Sequence, residues 1–468
     1  MAPPTGGPRS PHVPRTAGCP PPRRGVPPRP PRGVRAVGWP TFVVAGLVFA
    51  ASYALLFSRH VHRTLAALVG AVAMILAGTA LGFYSPHEAV ASIDTDTLWL
   101  LFGMMVIVGL LRATGFFQYM AIRTAKLAHG NPTVLFLSLG VFTAAASMFL
   151  DNLTTLLTVV PVTISVAEVL ALPAQPLLLL EAMAANIGGI ATLVGDPPNI
   201  LIGSAGGLSF NAFLTHTLPV SLIVLGSAMA FLLPRFRRSA GSGAPDVEAV
   251  MRMEERRALS DPRTAAKLLV VLGLVFALFV AHRALGLTPG VVALLGAALS
   301  VLLLRPNIES FLHGVEWDLL IFLAALLVIT GGLEASGALE AVGQWVVSAA
   351  RGSILLLALF LLWLGALLSW VVSALPAAVT LVALVRGLAR MGIPLTPLWW
   401  ALALGVGLGA NGTPLGSAAN MVLVSVAEQA GQPLSYRAWF RDGIPVAVLS
   451  CLIASAFLWV GIATGWFL

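Results

Sequence analysis

Two stretches of this chain set acids, amides and hydroxyls into otherwise apolar runs, and both recur later with changed residues. The first pair is SMFLDNLTTLLTVVP (Ser147–Pro161) and ANIGGIATLVGDPPN (Ala185–Asn199); the second is SWVVSALPAAVTLV (Ser369–Val382) and GANGTPLGSAAN (Gly409–Asn420). Asp151, Asn152, Thr154 and Thr155 offer a carboxylate, an amide and two hydroxyls at what reads as the tip of a helical hairpin, beside the positive end of a helix. Asn186, Thr192, Asp196 and Asn199 sit on an interrupted run, where two prolines remove backbone donors and glycines loosen the helix. Backbone no longer bonded within a helix can replace the hydration of a small solute, so the expected chemistry is an ion cage. Read structurally, Asp151 and Asp196 would be loop caps near an interface, and a lone Asn or Thr would bond helix to helix. Acids inside apolar spans are functional by default, and the clustering favours a site.

The spacing of these groups is nearly constant. Asp151 falls opposite Ser373 (373 − 151 = 222), and Thr192, Gly195 and Asn199 fall opposite Thr413, Gly416 and Asn420 (413 − 192 = 221). Thr97–Gly115 keeps the same offset to Leu319–Gly337, so a duplication covers 41–233 and 263–465. Paired repeats with Gly and Pro interruptions at corresponding apolar positions mark a secondary transporter's binding site. Both copies follow one order. In the first, spans at 41–58, 64–83 and 97–112 lead to an amphipathic surface helix at 115–129, a re-entrant hairpin with arms at 133–150 and 153–171, a broken span at 176–203 and a last span at 217–233. Five crossings is odd, so the copies must be inverted in the membrane. The expected fold is an all-α polytopic membrane protein with repeat 1 at 41–233, a charged linker at 234–262 and repeat 2 at 263–468. A disordered Pro/Arg-rich tail at 1–38 precedes them, with seven arginines and no acid.

Composition agrees, since 58% of the 468 residues are hydrophobic and only 10% charged. Many apolar runs approach the roughly 20 residues that a bilayer core demands. The tail lacks the apolar stretch of a signal peptide. The two cysteines, Cys19 and Cys451, exclude a disulfide framework or a Cys-based metal site in the repeated core, and the eight histidines form no cluster. The charge of +8 sits in the tail and loops, where membrane orientation explains it better than nucleic acid. A cytoplasmic linker brings Arg59, Arg63, Arg112, Arg123, Lys126, Arg305, Arg437 and Arg441 to the same side, as the positive-inside rule asks, and leaves the tail outside. No nucleophile–base pair, metal-ligand cluster or phosphate-binding G-x-x-x-x-G-K-S/T loop is visible, so neither an enzyme nor a cofactor is expected.

FLDNLTT, ANIGGIATLVGDPPN and LGANGTPLGSAAN, with HRTLAAL (His62–Leu68) before the second span, resemble the ion transporter superfamily. The branch resembled holds bacterial arsenite efflux permeases, bacterial sodium/proton antiporters and the melanosomal P protein; the wider superfamily includes citrate and dicarboxylate carriers. The likeness extends over nearly all of 41–465 and implies a scaffold domain and a mobile transport domain of hairpins and broken helices, working as an elevator. Carried over by motif, the site comprises Asp151, Asn152, Thr154, Thr192, Asp196 and Asn199 with Thr413, Ser417 and Asn420. Thr155, Asn186, Ser373 and Asn411 complete the candidate set.

One departure matters. Relatives commonly carry Asp-Asn before a proline in the second hairpin, whereas this chain has Ser373-Ala374-Leu375-Pro376. A single hairpin acid weakens the sodium/proton reading and leaves room for a neutral or anionic oxygen-rich substrate. An arsenite or antimonite efflux permease of the cell membrane is therefore expected ahead of a sodium/proton antiporter. A di- or tricarboxylate carrier comes after, because it needs cationic side chains at the tips, and Arg386 and Arg390 lie on the far arm. Coupling is expected to protons, through one ionisation, without sodium. The expected partners are the lipid bilayer and a small inorganic solute, with a homodimer and a peripheral ATPase subunit as candidates and no nucleic acid. Glu181 reads equally as an interfacial acid or a site residue. Glu168, Glu334 and Glu428 read as interfacial or solvated ends, and Trp399-Trp400 as part of an interfacial aromatic belt.

Overall fold

The computed structural model describes residues 39–467 apart from 57, 59–60, 241–246, 253, 307–310, 312–313, 351 and 390. The tail at 1–38 lies outside the described residues, as do Arg59 and Arg390. The first copy contains α1 (Trp39–Leu56), α2 (Arg63–Leu81), α3 (Pro86–Ala91), α4 (Thr95–Ala113), α5 (Phe116–Leu127), α6 (Pro132–Ser147), α7 (Asn152–Val169), α8 (Ala174–Ile190), α9 (Pro197–Gly206) and α10 (Phe210–Ser239). Two short helices, α11 (Val247–Arg252) and α12 (Glu255–Ala258), occupy the linker. The second copy contains α13 (Pro262–Leu285), α14 (Pro289–Leu304), α15 (Trp317–Ala335), α16 (Ala338–Ala349), α17 (Ile354–Val372), α18 (Ala374–Ala389), α19 (Thr396–Gly409), α20 (Ala418–Gln429) and α21 (Tyr436–Ala463). Among the described helices eight are long and apolar enough to cross a membrane, and the protein is a multi-pass membrane protein.

Local chemistry sets many of the boundaries. Asn131 caps α6 through the amides of Thr133 and Val134, with Pro132 at the first helical position, where its missing N–H costs nothing. Gly115 and Gly337 stand one repeat apart and both adopt left-handed backbone, with φ of 78° and 77°, to turn the chain from a long span into a surface helix.

The two copies repeat their packing as well as their order. Thr64, at the start of α2, donates to Asp318 at the start of α15. The amide of Gly290, at the start of α14, donates to Asp96 Oδ1 at the start of α4, at 3.1 Å. Asp96 and Asp318 are equivalent positions (318 − 96 = 222), so each copy's second helix docks on the other copy's third span. A Cβ on Gly188 would stand 2.2 Å from the Ala144 carbonyl oxygen, and one on Gly409 would stand 2.4 Å from Ala366 Cα, again the same crossing one repeat apart. The equivalent last spans α10 and α21 run antiparallel. Arg235, near the end of α10, pairs with Asp442 near the start of α21 at 3.1 Å, while His216, near the start of α10, meets the Trp466 carbonyl just past the end of α21, also at 3.1 Å.

The linker lies on α5. Lys126 pairs with Glu255, and the Ser260 amide donates to the Thr114 carbonyl at 3.0 Å. The bond from Lys126 holds the Glu255 carboxyl below the usual carboxylate range. Trp399 and Trp400 do not form an interfacial belt. Both are buried, and Trp400 stacks on His216 with ring centroids 4.7 Å apart and meets Phe213 edge-on, because α19 is enclosed by other helices from its first turn.

Candidate functional site

The hairpin tip between α6 and α7 meets the break between α8 and α9, and it is held there by side chains the sequence already singles out. Thr192 Oγ1, in the break, donates to the Met148 carbonyl at the end of the first arm at 2.6 Å; in the second copy Thr413 Oγ1 donates to the Trp370 carbonyl at 2.9 Å. Asn199 closes the break by donating to the carbonyls of Gly189, Ile190 and Thr192 at 3.0–3.2 Å, and Asn420 does the same with those of Ala410 and Thr413 at 2.9 and 3.1 Å. These bonds satisfy carbonyls that lost their helical partners when the spans were interrupted. Behind them an asparagine hub joins the copies. Asn152 Nδ2 donates to Asn186 Oδ1 at 3.2 Å, and Asn186 Nδ2 donates to the side-chain oxygens of both Asn411 and Asn420 at 3.0 Å.

In front of this framework lies a cavity of about 450 Å³, where both hairpin tips and both breaks converge. Asp151, Asn152, Asp196, Ser373 and Ser417 line it, joined by Arg63, Glu316, Tyr53 and Phe322 from outside the motifs. An outer cavity of about 1,050 Å³ shares Arg63, Asp151 and Glu316 with it and adds Thr154, Thr158, Arg112, Gln118 and Asp318. Two residues of the inner cavity, Asp151 and Ser417, also cap helices through their side chains. Asp151 Oδ1 accepts from the Thr154 amide at 2.8 Å, and Ser417 Oγ accepts from the Asn420 amide at 3.2 Å. Asp196 stands opposite Ser417 (417 − 196 = 221), as Asp151 stands opposite Ser373, so both site acids of the first copy are serines in the second. Ser373 has φ 71° and ψ 157°, a region that strains any residue with a Cβ.

The remaining candidates sit behind the cavity wall. Asn186, Thr192, Asn199, Asn411, Thr413 and Asn420 build the fold of the site and are absent from the lining of both cavities, and the buried Thr155 hydroxyl has no partner among the described residues. Glu181 lines neither of the two cavities; it is fully buried and accepts from Thr163. Glu168 and Glu428 are exposed ends as expected.

Reading the motifs alone misses Arg63 and Glu316, which belong to the neighbouring helices. Arg63 reads as a topology signal, yet it lines both cavities, with its guanidinium 3.5 Å from Asp318 of the outer one. Neither tip carries a cationic side chain, but Arg63 of α2 lines the cavity where the tips meet. A signal for Glu316 was present, because it is the repeat partner of Asp94 (316 − 94 = 222). With Asp151, Asp196 and Glu316 around one cavity, the single carboxylate counted at the hairpin tips understates the acids available.

Comparison with known proteins agrees with this architecture. The profile of a family described as citrate transporter matches residues 53–405. An uncharacterised transporter of Mycobacterium bovis is 40% identical over 89% of this chain and 98% of its own length. The human P protein is 32% identical over 90% of this chain, which spans 60% of that protein. The crystal structure of the YdaH transporter of Alcanivorax borkumensis superposes with a TM-score of 0.58 at 14% identity, covering 92% of this chain and 99% of the other, a likeness of fold.

Proposed function

Because the chain belongs to the citrate transporter family of the ion transporter superfamily, we propose that this multi-pass plasma-membrane protein is a secondary active transporter of a small oxygen-rich solute. The solute binds in the inner cavity, and the hairpins and broken spans carry it past a scaffold made of the other spans. The observation that carries this reading is the convergence of two hairpin tips and two helix breaks on one cavity of about 450 Å³. Interrupted helices facing a cavity are the usual membrane solution for dehydrating a small solute. The antiparallel course of α10 and α21 supports inverted copies, and the matched docking of α2 and α14 supports a scaffold in which each copy braces the other.

The leading substrate is arsenite or antimonite, moved outward. Arsenous acid is a neutral hydroxide, and Ser373, Ser417 and Asn152 present the hydroxyls and amide that would bond it. Three carboxylates against one guanidinium repel a multiply charged anion more than a neutral hydroxide. A carboxylate substrate is the second reading, favoured by Arg63 in the cavity and by the description of the family. Protons couple the transport, carried by the cavity acids, and sodium is not required. Uptake of arsenite, citrate, sulfate and sodium into proteoliposomes tests both readings. Saturable arsenite flux driven by a proton gradient is the expected result, and saturable citrate flux without arsenite flux would exchange the two.

A further inference from the structure

On the alternating-access reading, a bond that both copies make belongs inside one rigid body. A bond that only one copy makes, and that joins two bodies, reports the state of the transporter. The first kind includes the matched bonds of Asn199 and Asn420 inside the transport body and those of Asp96 and Asp318 inside the scaffold. The second kind also occurs. Ser204, on α9 of the transport body, donates to Asp94 Oδ2 at the start of scaffold helix α4, at 2.7 Å. Its counterpart is Ser425 on α20 (425 − 204 = 221), and the counterpart of Asp94 is Glu316 at the start of α15.

That second pair is open. Ser425 is exposed and accepts from Gln429 at 3.3 Å. The Glu316 side chain makes no cap bond, whereas Asp94 caps the Thr97 amide at 3.2 Å, and Glu316 turns into the solute cavity instead. The hairpins show the same asymmetry. On the second, Thr380 bonds the Tyr53 hydroxyl of scaffold helix α1 at 2.7 Å; on the first, its counterpart Thr158 (380 − 158 = 222) lines the outer cavity and, among the described residues, donates only to the Thr154 carbonyl of its own helix, at 2.9 Å.

Inverted copies exchange their two conformations when the mobile body crosses, so a contact made by one copy in one state is made by the other copy in the opposite state. We propose that Asp94–Ser204 and Glu316–Ser425 are alternating latches between the same two bodies, the first closed in this structure and the second closed in the opposite state, so that Glu316 lines the solute cavity in one state only. A carboxylate that joins the site in one state and leaves it in the other gives the solute or its coupling proton a different affinity on the two sides, which is what biases a two-state equilibrium. This inference rests on the alternating-access reading above.

Disulfide trapping tests it, in a background with Cys19→Ser and Cys451→Ser. Asp94→Cys with Ser204→Cys and Glu316→Cys with Ser425→Cys should both cross-link under mild oxidation, the second only as the opposite state is visited. Thr158→Cys, as a reporter, should react with a polar thiol reagent when the first pair is locked and be protected when the second is locked. Without cross-links, Ser204→Ala should lower the Thr158→Cys labelling rate roughly fivefold, about what one net hydrogen bond is worth, and Ser425→Ala should not lower it. A Glu316→Cys/Ser425→Cys pair that never cross-links, or locks that leave reporter labelling unchanged, would overturn the latches. None of these readouts needs a solute. Failure of arsenite and citrate flux with both cross-links forming would remove the proposed substrate and leave the latches standing.

Discussion

At the scale of single residues, the site divides into groups that face the cavity and groups that hold its walls, and the two should fail differently when changed. Asp151 faces both cavities and spends only one carboxylate oxygen on its helix cap. Asp151→Asn keeps an oxygen for the cap and loses the charge, so transport should fall to background while expression and detergent melting stay near normal. Undiminished flux in proteoliposomes would return Asp151 to a purely capping role. Asn186 lies behind the wall and donates to two side chains at once. Asn186→Ala leaves the buried Asn411 and Asn420 side-chain oxygens without this donor, at a cost of about 1–3 kcal/mol per group. Thermal unfolding in detergent should show that loss, and an unchanged melting temperature would contradict the hub. The acids and amides were legible in the sequence because polar groups in apolar runs need a reason. Their division into lining and framework was not, since both tasks call for the same residue types.

At the scale of elements, the structure depends on helices approaching where glycine leaves room. Gly188 and Gly409 carry the same crossing in the two copies, and a Cβ at either would strike backbone, which cannot move aside. Gly226 on α10 and Gly273 on α13 have nothing within 4 Å of such a Cβ. Gly188→Ala and Gly409→Ala should therefore each lose about 1–3 kcal/mol through overpacking. Gly226→Ala and Gly273→Ala should be neutral or gain up to about 1 kcal/mol in helix propensity. Folded yield by size-exclusion chromatography, with melting temperatures, checks the contrast; equal behaviour of the four variants would refute it. The helices and the interruptions between them emerge close to the expected positions, apart from α10, which starts seven residues before the expected 217, because periodic apolar runs and Gly/Pro interruptions are local signals. Trp399-Trp400 misleads for the opposite reason. A tryptophan pair at the start of an apolar helix has the same local pattern in a belt or in a core, and only the neighbours, in this case His216 and Phe213, decide.

At the scale of the whole molecule, the repeat order was readable from a constant offset, while the way the copies brace each other was not, because the docking of α2 on α15 and of α14 on α4 joins segments more than a hundred residues apart. Five expected crossings per copy, an odd number, require inversion, and the fold adds contacts that bear on orientation. Lys126 with Glu255 and Thr114 with Ser260 place the linker on α5, so the basic residues of α5 and of the linker share one side of the membrane. Helix α16 is the counterpart of α5 in the second copy and should lie on the other side. On the positive-inside rule the linker is expected in the cytoplasm, since α5, α11 and α12 together carry Arg123, Lys126, Arg252, Arg256 and Arg257, whereas α16 carries no Lys or Arg. Single cysteines introduced along 234–266 should react with a membrane-impermeant thiol reagent only after the cytoplasmic face is opened, and those along 338–352 should react in intact cells. Reaction of both sets from one side would defeat the inverted arrangement. Reversed labelling of the two sets would keep the inversion and turn the molecule over in the membrane, with the direction of the proposed efflux turned over as well.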